Sequence, residues 1–161
     1  MVRHAIQIGS VAGLLLAVAV LLISSRGAAQ STTTTDKKMG RWKLRADSPA
    51  SGTREYEDRG CGITISVREG VNNRGQEYHS SYAAKVDGKQ YPRQVKGSNV
   101  VNTIAFTQVD PDTVAFTLRE NGTVKFTGTT GVSRDGKLLT VRTKSVNASS
   151  RENVEVYDRI P

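Results

Sequence analysis

From Gly40 to the C-terminus the apolar side chains recur at every second residue, and no window of about eleven residues carries a sustained helical stripe. Trp42, Leu44 and Ala46 alternate with Arg41, Lys43 and Arg45, which places three cations on one face of an extended segment. Ile63, Ile65 and Val67 alternate with Thr64, Ser66 and Arg68, and Tyr78, Ser80, Tyr82, Ala84 and Val86 share a face opposite His79, Ser81, Ala83 and Lys85. The same period runs through Ile104 and Phe106, through Val114, Phe116 and Leu118, through Val124 and Phe126, through Leu139 and Val141, and through Val154 and Val156. The abundance of Thr and Val agrees with strands. Asp87-Gly88, Asn121-Gly122 and Asp135-Gly136 each stand between alternating segments and tolerate the positive φ of a type I′ hairpin, while Asp110-Pro111-Asp112 marks a further turn. Successive hairpins of this kind predict an all-β, antiparallel up-and-down barrel of about eight to ten short strands. Closure hides the edges, and few long crossovers remain for a Greek-key sandwich.

The pattern breaks at the beginning of the chain. Val11 to Ile23 carries no charged or strongly polar side chain, Arg3 and His4 precede it, and the small residues Gly27 and Ala29 follow at positions suited to signal peptidase. Residues 1–29 therefore read as a cleaved signal peptide, implying a secreted or periplasmic protein; the alternative is an N-terminal membrane anchor, since the apolar stretch extends back to Ala5. Residues 30–38, with Ser31 to Thr35 and then Asp36-Lys37-Lys38, read as a polar low-complexity spacer, leaving 39–161 as the barrel domain.

Composition narrows the chemistry. The chain of 161 residues has 23 Lys and Arg against 15 Asp and Glu, a formal charge of +8, which becomes +6 once Arg3 and Arg26 leave with the signal. The cations are expected at dispersed, outward positions, among them Lys85, Lys89, Arg93, Lys96, Arg119 and Lys125. That arrangement favours ordinary solubility or attraction to an anionic envelope surface over nucleic-acid binding. One Cys excludes an intrachain disulfide and a multi-thiolate metal site. Cys61, between Gly60 and Gly62, is expected to be a small buried residue, the alternative being a reactive or intermolecular thiol. His79 falls on the polar face of its strand and is expected at the surface, and Asp47, Glu55, Glu57 and Asp58 show no spacing peculiar to acid–base work. No nucleophile, base and orienter assemble, the glycines form no phosphate loop, and neither an enzyme, a metal site nor a cofactor is expected.

Gly40-Arg41-Trp42-Lys43-Leu44 at one end and Val156-Tyr157-Asp158-Arg159 at the other resemble the two ends of the calycin superfamily, which includes lipocalins and fatty-acid-binding proteins. Asp87-Gly88-Lys89-Gln90-Tyr91-Pro92 and Ser133 to Thr140 resemble segments of secreted bacterial lipocalin-like proteins. The resemblance implies that Trp42 plugs the closed end of the barrel and that Arg159 stacks on it. It departs from the fatty-acid-binding proteins at Glu155, two residues before Tyr157, where those relatives carry an Arg that holds the ligand carboxylate. A carboxylate at that place accepts another only through protonation or an intervening cation. Glu155, Tyr157 and Arg159 also share a parity opposite to Val154 and Val156, which a bulge or bend would have to reconcile with an apolar interior. The expected function is binding of a small hydrophobic or amphipathic molecule by a monomeric barrel, with Tyr82, Phe106, Phe116, Phe126 and Val141 facing inward by alternation. The rival is a structural or interaction protein with a side-chain-filled core and a basic outer face.

Overall fold

A computed structural model describes residues 36–45, 50–147 and 152–161. The signal peptide, the anchor alternative and most of the spacer lie outside these residues, as does Asp47. Ten strands follow one another: β1 (Gly40–Leu44), β2 (Ser51–Asp58), β3 (Thr64–Val71), β4 (Glu77–Ala84), β5 (Tyr91–Val95), β6 (Asn102–Asp110), β7 (Thr113–Glu120), β8 (Thr123–Val132), β9 (Leu138–Ser145) and β10 (Asn153–Ile160). Each pairs antiparallel with the next, and β1 pairs with β10, so the sheet is a closed up-and-down barrel with no free edge.

One end of the barrel is packed solid. Trp42, Leu139 and Tyr157 are 0% exposed, and Val114, Tyr56 and Ala84 are buried with them. The Trp42 indole donates Nε1–H to the Lys38 carbonyl at 2.9 Å. The Arg159 guanidinium lies 4.2 Å from the Trp42 ring centroid, donates to the Gly136 and Met39 carbonyls at 2.7 and 2.8 Å, and also reaches the Lys37 carbonyl. Lys38 is buried at 8% exposure, with Nζ on Asp36 and above the Tyr56 ring. Of the spacer read over residues 30–38, Asp36 and Lys37 are exposed and Lys38 is buried. The tryptophan needs an acceptor for its buried N–H, and the backbone of residues 36–39 supplies it.

Turn chemistry follows the sequence with one refinement. At Asn121 and Gly122 both φ are positive, 47° and 80°, as a type I′ turn requires. At Asp87-Gly88 and Asp135-Gly136 only the glycine has positive φ; each aspartate instead accepts the backbone N–H two residues on, from Lys89 at 3.1 Å and Lys137 at 3.2 Å. A bulge between Leu118 and Arg119 leaves Lys125 as the extra residue on β8, so that Phe126 pairs with Leu118 and Val124 with Arg119. Val124 and Phe126, which alternation assigned to one face, are separated by it.

Two corrections concern single residues. Cys61 is exposed, not buried, because it sits at φ 52° in the 59–63 turn between two glycines that also have positive φ. His79 is exposed on the outer face as expected, 3.7 Å from Glu69.

Candidate functional site

Alternation along the ten strands decides what the interior contains. On β6 to β9 it turns Ile104, Phe106, Phe116, Leu118 and Val141 inward, while on β2 to β5 it turns Arg54, Tyr56, Ser66, Arg68, Ser80, Tyr82 and Arg93 inward. Between these unlike walls lies a cavity of about 290 Å³. That is near the lower end of the ~300–1,000 Å³ common for small-molecule clefts, and corresponds to roughly ten water volumes at ~30 Å³ each. Tyr82, Phe106, Phe116, Phe126 and Val141 all line it. Tyr82 and Phe106 pack at 5.1 Å between ring centroids, and Phe106 meets Phe116 edge-on at 6.5 Å. Phe126 is 37% exposed, which places it at the rim rather than in the depth.

A glycine makes room for this wall. A Cβ on Gly128 would lie 2.0 Å from the Arg142 carbonyl oxygen and 2.5 Å from the Phe116 ring, so the absence of a side chain there lets the ring approach the β8 backbone.

The opposite wall is cationic. Arg54 and Arg68 are direct cross-strand neighbours, an arrangement that repels unless something stands between them. Glu155 does so from β10. Its carboxylate receives Arg68 Nη2 at 2.6 Å and Arg54 Nη2 at 3.2 Å, and the Tyr157 hydroxyl donates to it at 2.8 Å. Burial opposes ionisation of this carboxyl, but the two guanidinium groups and the hydroxyl outweigh burial and hold its pKa below the usual carboxylate range. Each guanidinium is also braced by a ring: Arg68 lies 4.2 Å from the Tyr78 centroid and Arg54 5.1 Å from that of Tyr157.

Parity therefore needs no bulge in β10, whose pairing with β9 is continuous from Asn153 to Asp158. Glu155 faces inward because arginines await it, and Val154 and Val156 are simply on the outer face.

The dispersed outward placement of the cations is corrected as well. Arg93 is inward, paired with Tyr82 across β4 and β5, and Arg119 and Lys125 reach the cavity from the β7–β8 end. Among the described residues no hydrogen bond or ion pair holds Arg93, and burial together with the like charges of Arg68 and Arg54 lowers its pKa. The Nε atoms of Arg54, Arg68 and Arg119 are buried without a hydrogen-bond partner among the described residues. The Tyr82 phenol is pushed up, first by burial and then by Tyr56, and stays protonated as a donor at neutral pH.

Sequence reasoning found the aromatic wall and missed the cationic one. The signal was present: Arg54 and Tyr56 share a parity, as do Ser66 and Arg68, but an inward arginine looks like an outward one until the strand's neighbours are known.

Fold and cavity together define a closed ten-strand antiparallel barrel with a polarised interior. No family model and no curated protein matches the chain. Among solved structures it is similar to "As-p18, an extracellular fatty acid binding protein", with a TM-score of 0.56 and 15% identity, over 78% of this chain and 97% of that one. At this identity the likeness extends to the fold.

Proposed function

We propose that this chain is an exported carrier that holds a hydrophobic or amphipathic small molecule in its interior. The observation that supports the reading is the 290 Å³ cavity bounded by Phe106, Phe116, Leu118, Phe126 and Val141 on one side and by a hydrogen-bonding wall on the other. Burying an apolar ligand contributes roughly 25 cal/mol per Å² of area removed from water, and the aromatic wall offers such area without rearrangement. The similarity to an extracellular fatty acid binding protein supports the same reading of fold and use. The reading is binding rather than catalysis: the ionised groups on the polar wall face each other and the cavity, in an arrangement suited to holding a guest.

Native mass spectrometry of the protein purified from its own host, followed by solvent extraction, tests the proposal together with uptake of an apolar fluorescent probe. The expected result is a mass above that of the polypeptide, or saturable probe binding that weakens when Phe116 is replaced by a larger Trp. A bare polypeptide that takes up no probe would favour the rival, a filled barrel whose outer face meets a partner.

A further inference from the structure

The carrier reading leaves open what the cationic wall is for, and the charges on it decide the matter. Five cationic side chains line the cavity, Arg54, Arg68, Arg93, Arg119 and Lys125, against two carboxylates, Glu120 and Glu155. Three positive charges are thus uncompensated by the lining itself. Glu155 already bridges Arg54 and Arg68, so the guanidinium that no hydrogen bond or ion pair holds among the described residues is Arg93, cross-strand from Tyr82 and attracted from a distance by Glu120. A half-buried guanidinium beside two others costs free energy unless an anion meets it, and the remaining charge exceeds what one carboxylate would neutralise.

We propose that the ligand is a short-chain amphiphile with a dianionic oxyanion head, of the phosphate monoester type, whose head sits on Arg93 beside Arg54 and Arg68 and whose tail lies on the Phe106–Phe116 wall. This rests on the carrier reading and specifies its ligand. A head with three or more acceptor oxygens matches several forked donors arriving from β2, β3 and β5, whereas a single carboxylate is already supplied by Glu155. The 290 Å³ volume accommodates a short tail inside the barrel.

Isothermal titration calorimetry of the full chain with octyl phosphate, octanoate, octanol and inorganic phosphate is the test. Octyl phosphate should bind at least tenfold more tightly than octanoate, with octanol and inorganic phosphate weaker still, and Arg93→Gln should abolish the preference for octyl phosphate over octanoate. A second readout needs no variant. The second proton of a phosphate monoester leaves near pH ~6, and no histidine lines the cavity, so octyl phosphate affinity should rise severalfold from pH 5 to 7.5 while that of octanoate, a carboxylate ionising near pH ~5, rises by no more than about twofold. Octanoate or octanol binding as tightly as octyl phosphate, or a flat pH profile for octyl phosphate, would overturn the head-group assignment while leaving the carrier intact. Inorganic phosphate binding as tightly as octyl phosphate would overturn the tail and with it the carrier reading. No binding by any of the four would overturn both.

Discussion

Glu155 joins three interior side chains, Arg54, Arg68 and Tyr157. Removing its carboxylate leaves Arg54 and Arg68 facing each other across β2 and β3 with nothing between them, so Glu155→Ala should destabilise the fold by about 2–3 kcal/mol, read as a lowered urea midpoint with unchanged slope. The pH dependence has a definite sign. The folded carboxyl titrates below its unfolded value, so its stabilisation is fully present above about pH 4.3 and is lost as pH falls through the folded value. The difference in urea midpoint between the natural chain and Glu155→Gln should therefore be largest at neutral pH and shrink in acid. A difference that stays constant down to pH 2.5 would mean that Glu155 acts through shape rather than charge. This residue also shows why the interior was only half legible. Phe106, Phe116 and Val141 announce themselves by apolarity, while Glu155 reads as misplaced until the arginines of two distant strands are known to face it.

Among the elements, β8 is held by a glycine and ended by one. Gly128 has an ordinary extended backbone but no space for a Cβ, and Gly128→Ala must push the Phe116 ring inward or part β8 from β9. It should cost about 1–3 kcal/mol as overpacking and reduce apolar probe uptake, which the urea midpoint and a probe titration would report separately. Gly122 is the reverse case: open space surrounds it, but its φ of 80° strains any other residue, so Gly122→Ala should cost about 1 kcal/mol and leave probe binding unchanged. Such hairpin punctuation was readable, and eight of the ten strands announced themselves by alternation. The two that did not have a physical excuse. In β2 charged residues stand on both faces, with Arg54 inward and Glu55 and Glu57 outward, and β5 is five residues long and interrupted by Pro92, so neither offers an apolar stripe to detect.

In the whole molecule the ring is closed by its two most distant strands. β1 and β10 pair from Arg41 with Ile160 to Leu44 with Tyr157, a contact that closes nearly the full length of the domain and carries the greatest loop-closure entropy. Arg159 reinforces that seam through Trp42 and three backbone carbonyls. Arg159→Met should cost about 2 kcal/mol, appearing in stopped-flow kinetics mainly as faster unfolding, because the seam forms after the consecutive hairpins. An equal effect confined to the folding rate would place the seam in the nucleus instead. Closure as such was legible, since a run of hairpins with no spare edge has few other endings; how many strands the ring needs was not.

Because Arg159 touches the backbone of Lys37 and Met39, the chain enters and leaves the domain at neighbouring points beside the tryptophan plug. A short linker from Pro161 to Asp36, with new ends cut at the Asn121-Gly122 turn, should give a circular permutant that preserves every strand pairing. Fusions and surface tethers joined at Asp36 or Pro161 share that geography: they gather at the sealed pole and leave the rim marked by Phe126 unobstructed.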